Sequence, residues 1–396
     1  MSELPAYERD PYLTRMESRV LAVGSEGGRP FAVLADTLLY PEGGGQPADH
    51  GLLDGVAVTD VQKRDGTALH FLARPVEPGP VTVSLDWRRR FDHMQQHTGQ
   101  HLLTAVARAR HGWETTAFHL GDAVCDIELD APRVGEDELR RLEEAVAAEI
   151  RQARPVRCRR VAPEALPDLG VRSRGLPEGF QGEVRLVEIE GLDLNTCGGT
   201  HLRSTAELEA LCLLGTEQLR GGTRIFFVAG ARARARMLAH ERRTGALRTL
   251  LGVPDAGLAA AVAARQEQHR ELEKRLRGLE DELGEVLAEA LAARPGILAE
   301  QHFEGKDLGF LQRTARLLLA KAPGRTAFLT ATLAGQSCFL LASGPASPLD
   351  AGALGRELAG LQGAKGGGSG ALFQGKAGSL AGRGPALARL RAAAGE

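Results

Sequence analysis

Cysteine is scarce. The five cysteines among 396 residues lie at 125, 158, 197, 212 and 338, with no Cys-x-x-Cys pair. An odd, scattered set is no disulfide framework and suits a reducing cytosol. No apolar run approaches the roughly 18 residues that a membrane-spanning helix needs, so none is expected. The opening MSELPAYERD is charged and has no apolar core segment, so no secretory signal is expected and the chain is read as cytoplasmic. Net charge is lacking too: 49 basic against 51 acidic residues leave −2. The chain is no polycation, and any contact with nucleic acid must be local. Aromatic residues make up only 4%.

What is plentiful is glycine, with 49 residues, which points to many turns and close backbone approaches. The length alone suits two or three domains, and the pattern along the chain suggests an α+β protein in four segments. Residues 1–90 read as β-rich, a small barrel or curled sheet. VLAVGSEGGRPFAVLADTLLY resembles two strands about a Gly-rich turn, and VAVTDVQKRDGTALHFLA repeats this with Asp65-Gly66 at its turn. The stretch PEGGGQPADHG, 41–51, is too rich in glycine to be regular. Residues 91–235 read as mixed α and β: a helix ending near Gly112, an amphipathic helix over 135–155 stopped by Pro155, and strands over 122–130, 182–191 and 223–230. Residues 236–295 read as a helical linker in which Leu272, Leu276, Leu279, Leu283, Val286 and Ala290 form a heptad seam. It is either a long helix or helical hairpin between globular parts, with dimerisation open to it, or an amphipathic helix packed on one domain. The last segment, 296–396, is α/β. It holds 11 basic residues against 6 acidic ones, a basic tail on an acidic body, which is a footprint for a polyanionic partner.

Three motifs carry chemistry. In His97-Thr98-Gly99-Gln100-His101, two imidazoles stand at i and i+4 on one helix face and can share a metal ion. In Cys197-Gly198-Gly199-Thr200-His201, a thiolate and an imidazole form a zinc-type pair, and two glycines let the backbone turn so that both converge. Together, His97, His101, Cys197 and His201 make a plausible tetrahedral set. The other four cysteines read as small core residues. In Tyr40-Pro41-Glu42-Gly43-Gly44-Gly45-Gln46-Pro47, three successive glycines suit either backbone approach to a ligand or a tight surface turn. His93 either supports the metal pair or faces solvent, and Asp92 and Glu42 are candidate acid–base groups.

In this order and spacing, YPEGGGQPADHG, HTGQH and CGGTH resemble the editing domain of alanyl-tRNA synthetase and its free-standing relatives, the AlaX proteins. The two metal-ligand motifs are shared with the editing domain of threonyl-tRNA synthetases. The segment GAKGGGSGALFQGKAGSL, 363–380, is similar to the DHH-associated C-terminal domain of alanyl-tRNA synthetase, with a shorter, serine-interrupted glycine run. With no room for an aminoacylation core, the chain looks like a long-form AlaX protein.

The resemblance implies a zinc-dependent aminoacyl-tRNA deacylase that hydrolyses tRNA(Ala) mischarged with serine and, further, with glycine. It implies that Thr37 contacts the serine hydroxyl, and that Gln46 and the backbone of Gly43, Gly44 and Gly45 hold the terminal adenosine or the amino-acid end. Two roles for Zn2+ stay open, activating water or orienting the substrate. Lys365, Lys376 and Arg383 are the expected phosphate contacts. Arg232, Arg234, Arg236, Arg242 and Arg243 read as a solvated helix face. A homodimer through the linker or the C-terminal domain is compatible with the seam. The alternatives are a zinc-stapled tRNA-binding module or synthetase-like fragment without turnover, and a metallohydrolase of small esters or amides.

Overall fold

The computed structural model describes residues 4–172, 175–176, 180 and 182–396. They fall into two compact units, Met1–Ala246 and Leu247–Glu396. In the first, a short helix α1 (Ala6–Arg9) precedes β1 (Arg15–Glu26), β2 (Arg29–Leu34), β3 (Gly51–Leu53), β4 (Val56–Arg64), β5 (Thr67–Leu72) and β6 (Gly79–Leu85). These six strands close into a barrel in the order β1-β2-β5-β4-β3-β6. The β4–β5 hairpin turns on Asp65 and Gly66, both left-handed (φ 48° and 84°), the two-residue geometry that matches strand twist. Val20, Val56, Val58, Val61, Val81 and Val83 fill the barrel with Leu38 and Leu39. Residues 35–50, between β2 and β3, are irregular apart from a bridge between Gly43 and Gln46.

Next comes α2 (Trp87–His111), started by the Asp86 carboxylate accepting from Arg89 N (3.1 Å) and ended by Gly112 in the left-handed region at φ 71°. Gly99 in its middle costs up to about 1 kcal/mol of helix propensity. It lets the helix lie close on its neighbours, because a Cβ there would meet Ala229 Cβ at 3.2 Å and Leu211 Cδ1 at 3.3 Å. The chain continues through β7 (Thr115–Leu120), β8 (Cys125–Leu129), α3 (Glu136–Arg151), β9 (Val156–Val161), β10 (Val184–Ile189), β11 (Asp193–Thr196), β12 (Leu211–Leu219) and β13 (Gly222–Ala229). They form two antiparallel sheets, β12-β13-β8-β7 and β11-β10-β9. The α2 side chains Met94, Leu102, Leu103 and Val106 share a core with Leu142, Val146, Ile127, Ile225 and Phe227. Helix α3 stops at Arg151, short of Pro155, because Ala153 turns the chain with φ 51°.

Helix α4 (Gly230–Leu251) follows, and the division between the units falls within it, after Ala246. The second unit holds α5 (Leu258–Ala292), β14 (Leu298–Glu304), α6 (Leu308–Lys321), β15 (Thr326–Leu333), β16 (Gln336–Ser343), α7 (Ala351–Leu361), β17 (Lys365–Ser369), β18 (Leu372–Ala377) and α8 (Arg383–Ala394). Its sheet runs β14-β15-β16-β18-β17, parallel only between β14 and β15. The last turns of α5 join this core: Ala288 and Leu291 are buried with Phe310 and Leu311, and Gly284 leaves room beside Thr314 and Leu317. The heptad seam Leu272, Leu276, Leu279, Leu283 and Val286 is exposed. Two cysteines depart from the expected core placement: Cys158 is exposed on β9 and Cys212 is half-buried, whereas Cys125 and Cys338 are buried. Among the described residues, no single helix is long and apolar enough to cross a membrane.

Candidate metal centre

The histidine pair on α2 meets the loop after β11. The ring centroids of His97 and His101 are 5.2 Å apart, and the His201 ring lies 4.4 and 4.7 Å from them. Cys197 Sγ is 3.3 Å from Nε2 of both His97 and His201. One donor atom from each of His97, His101, Cys197 and His201 falls within 4.8 Å of the others. A tetrahedral zinc, with ordinary bond lengths, would hold sulfur and nitrogen about 3.6 Å apart. The donor set and its spacing therefore fit zinc. Gly199 is required for the approach: a Cβ there would lie 2.2 Å from His97 Cε1 and 2.4 Å from its Nδ1.

Hydrogen bonds orient the ligands. Gln46 Nε2 donates to Thr200 Oγ1 (2.9 Å), and Gln46 Oε1 accepts from Thr200 N (3.0 Å), which fixes the amide orientation. That same oxygen accepts from His97 Nδ1 (2.9 Å), so Nε2 keeps its lone pair for an ion. Thr98 Oγ1 accepts from Leu202 N (3.1 Å) and pairs with His201 Nδ1 (3.2 Å). Asp193, gripped by Arg172 Nε and Nη2 (3.1 and 2.8 Å), brings a carboxylate oxygen to 3.9 Å from His101 Nδ1. Arg185 ties down the Cys-Gly-Gly turn by donating to the carbonyls of Cys197 (2.7 Å) and Gly199 (2.8 Å), and it also reaches Cys158 Sγ (3.1 Å).

The glycine-rich loop is anchored by a buried ion pair. Arg90 Nε donates to both Asp49 oxygens (3.1 and 3.0 Å), and its terminal nitrogens reach Pro11 O (2.7 Å) and Leu38 O (2.6 Å). Asp49 also accepts from Tyr40 N (2.6 Å). Both side chains are fully buried, and full satisfaction of the pair is what makes that tolerable. The pair joins α2 to the loop, which brings Gln46 to His97.

Electrostatics favour neutral imidazoles. Burial, with the charges of Arg172 and Arg185, takes His101 down to about 3. Burial and the neighbouring histidines hold His97 and His201 well below the usual range. Burial also pushes the Cys197 thiol up to about 11, against the help of the Gly199 amide and Arg185. Three neutral nitrogens suit metal binding as they stand, and the Cys197 thiol would release its proton to solvent on binding a cation as thiolate.

A cavity of about 330 Å³ opens on the cluster, walled by Gly44, Gly45, His97, His101, Phe118, Asn195, Thr196, Cys197 and Gly198. Gly45, at φ 82°, has Phe118 so close that a Cβ would meet it at 2.8 Å. The other expected site residues are more dispersed. Gln46 is fully buried with its amide spent on His97 and Thr200, so it stands behind the cluster and not on a substrate surface. Gly43 sits in the loop with its carbonyl accepting from Tyr40 OH (2.9 Å). Glu42 is exposed and accepts from Gln62 Nε2 (2.8 Å).

Thr37 is buried beside the barrel, where its Oγ1 accepts from Leu39 N (3.0 Å) and lies 2.9 Å from His70 Nε2. His70 Nδ1 faces Ala32 O (3.1 Å), and burial keeps the ring neutral, down to about 4. Nδ1 therefore carries the hydrogen, and Thr37 donates to Nε2. Asp92 is committed to Arg232 (2.6–3.0 Å), which removes it as a free acid or base and takes Arg232 out of the expected solvated face. His93 is buried, not solvent-facing. Lys365 and Lys376 are exposed and stand directly opposite each other on β17 and β18, in the second unit, while Arg383 is turned to Glu300 and to Thr330 Oγ1 (3.1 Å).

Sequence patterning missed Arg90, Asp49 and Arg185. Arg90 carried a signal, because it lies seven residues before His97 on the same helix face. Arg185 carried a weaker one, a charge inside the apolar run of β10.

Comparison with known proteins agrees with this geometry. Residues 184–226 match the threonyl and alanyl tRNA synthetase second additional domain. The chain is 38% identical to the mouse alanyl-tRNA editing protein Aarsd1, over 97% of this chain and 96% of the mouse protein. It is 37% identical to the rat counterpart over 91% and 87% of the two chains. The alanyl-tRNA editing protein AlaX-L of Pyrococcus horikoshii is 33% identical over 58% of this chain and 59% of its own. A solved structure, the C-Ala domain of Aquifex aeolicus alanyl-tRNA synthetase, aligns with 25% of this chain and 91% of that domain at 19% identity and a TM-score of 0.24, too low to bear on the fold. With near-complete coverage of the mouse relative and a metal-ligand geometry to match the motifs, the chain belongs to the free-standing alanyl-tRNA editing proteins.

Proposed function

We propose that this protein is a cytoplasmic deacylase that edits tRNA(Ala) in trans, hydrolysing the ester of serine, and further of glycine, with Zn2+ held by His97, His101, Cys197 and His201. The observation that carries the proposal is the convergence of these four side chains on one point, with His97, His101 and Cys197 lining a cavity also walled by Gly44 and Gly45. A synthetase pocket that admits alanine rejects serine or glycine only weakly, so a second, separately selective site is needed. Zinc, when bound, supplies Lewis-acid polarisation of the ester carbonyl.

The chain's own residues do the rest. The side-chain-free turn at Gly44 and Gly45 lets an aminoacyl end approach the cluster. Gln46 and Thr98 hold the imidazoles in orientation. Thr37 reads the serine hydroxyl as an acceptor, since its own hydrogen is committed to His70. Lys365 and Lys376 take phosphates of the tRNA, and a second copy of the chain joins along the α5 seam.

The test is ester loss from serine-, glycine- and alanine-charged tRNA(Ala), with and without a chelator. Fast, chelator-sensitive loss of serine with alanine spared is the expected result. Equal rates for serine and alanine, or rates indifferent to the chelator and to Cys197→Ala, overturn the reading.

A further inference from the structure

A second cavity, of about 540 Å³, lies at the start of α2 and plays no part in the chemistry above. Its walls include His50, Arg88, Arg89, His93 and Asp122, all from the first unit. His93 stands one turn before His97, about 6 Å along the helix axis. Its side chain is 4% exposed, and its Nδ1 has no hydrogen-bond partner among the described residues. A buried polar nitrogen left unpaired is costly, and a ligand in this cavity that paired with it would recover that cost.

The charges around it are unspent. Arg88 is exposed and makes no ion pair among the described residues. Arg89 uses Nε on Ala48 O (2.9 Å) and leaves its two terminal nitrogens available. Asp122 is exposed and likewise without an ion pair. Arg232, also on the wall, is by contrast consumed by Asp92 and by Gly121 O (2.6 Å).

This donor set is mixed. A simple anion would use the arginines and leave His93 idle, and a cation would be repelled by the arginines. A ligand that pairs an anionic group with an edge of ring donors and acceptors uses all of them, and the volume is that of a small-molecule site. We propose that this cavity binds a nucleotide of the strand that carries the scissile ester, with its phosphate on Arg88 and Arg89 and its base edge on His93 and Asp122. The proposal rests on the deacylase reading for the identity of that strand.

Two arms test it with the full-length protein. The first compares kcat/KM for serine-charged tRNA(Ala) with that for the seryl ester of adenosine, which has no phosphate. Arg88→Ala is expected to lower the ratio of the two about tenfold, mainly through KM on the tRNA. The second follows the ring nitrogens of His93 by NMR in histidine-labelled protein titrated with the trinucleotide CCA and, separately, with inorganic phosphate. CCA is expected to shift the His93 signals, with weaker affinity in Arg88→Ala, and phosphate alone to leave them in place. An equal response to phosphate reduces the cavity to an anion site and overturns the proposal, as does an unmoved His93 or an unchanged ratio. If the wild-type protein cleaves neither ester, the deacylase reading is what has failed, and the NMR arm alone decides the cavity.

Discussion

Gln46 and His70 show how far a single side chain's effect depends on what it holds in place. Gln46 Oε1 accepts from His97 Nδ1 and also from Thr200 N. Gln46→Ala removes the group that fixes the His97 tautomer and leaves two buried donors unpaired. We expect metal affinity, read by competition with a chromogenic chelator, to fall about 10- to 100-fold with the fold intact by circular dichroism. Unchanged affinity would show that His97 orients itself. His70 gives a pH prediction. Burial depresses its pKa from 6.5 to about 4, so the unfolded chain takes up the proton first as pH falls. Its stabilising contribution is complete above 6.5 and is lost between 6.5 and 4. His70→Gln should therefore lose roughly 2 kcal/mol less stability than the wild type between pH 7 and pH 5, read from urea melts at both. Parallel losses would mean that His70 protonates freely in the fold. At this scale the cluster of His97, His101, Cys197 and His201 was legible in the sequence, because i,i+4 spacing and a Cys-Gly-Gly-Thr-His turn are local patterns. The groups that position them were not. Arg90 finds Asp49 across 41 residues, and Arg185 finds Gly199 across 14, and no local period encodes either meeting.

Elements were legible where their signals were local. Gly112 ends α2 as glycine capping predicts, and Asp65-Gly66 turns β4 into β5, whereas the Asp86 cap that starts α2 went unread. Barrel closure was not legible, since it depends on β1 pairing with β6, Arg15 opposite Ser84, at opposite ends of the segment. The end of α3 was misplaced because Ala153 breaks the helix without the glycine or proline that pattern reading looks for. The heptad of α5 was visible, and the structure adds its orientation. Gly284, Ala288 and Leu291 face the unit's own core, while Leu272, Leu276, Leu279, Leu283 and Val286 face out, at 41–64% exposure. In the dimer proposed above, this exposed face is the one that a second copy of α5 would cover. Leu276→Glu with Leu279→Glu should convert a dimer to a monomer in light scattering and leave single-chain stability within about 0.5 kcal/mol, since both positions are solvent-facing. A wild-type protein already monomeric at tens of micromolar would remove the seam from any role between copies.

Charge is distributed unevenly over the chain as a whole. The last 101 residues carry the basic excess within a total of −2, so electrostatic attraction to a polyanion is concentrated there. Lys365 and Lys376 sharpen the point. They are Cα partners across β17 and β18, and the glycine-rich edge strand Lys365–Ser369 is exposed at every residue. Like charges placed directly opposite on a sheet destabilise it by a few tenths to about 1 kcal/mol. A phosphate between them turns that repulsion into two attractions, and glycines at 366–368 leave the backbone open to it. Each phosphate neutralised releases counterions, so affinity for tRNA must fall with salt in proportion to the number of such contacts. Replacing both lysines with alanine should weaken binding of uncharged tRNA(Ala) and make the slope of log K against log salt shallower by about 0.8, the value for the one phosphate that the pair shares. The seryl ester of adenosine, which has no phosphate, should be hydrolysed at an undiminished rate by the same double variant. A slope that stays where it was would assign the two lysines to solvation and move the tRNA contact to other cations of the chain.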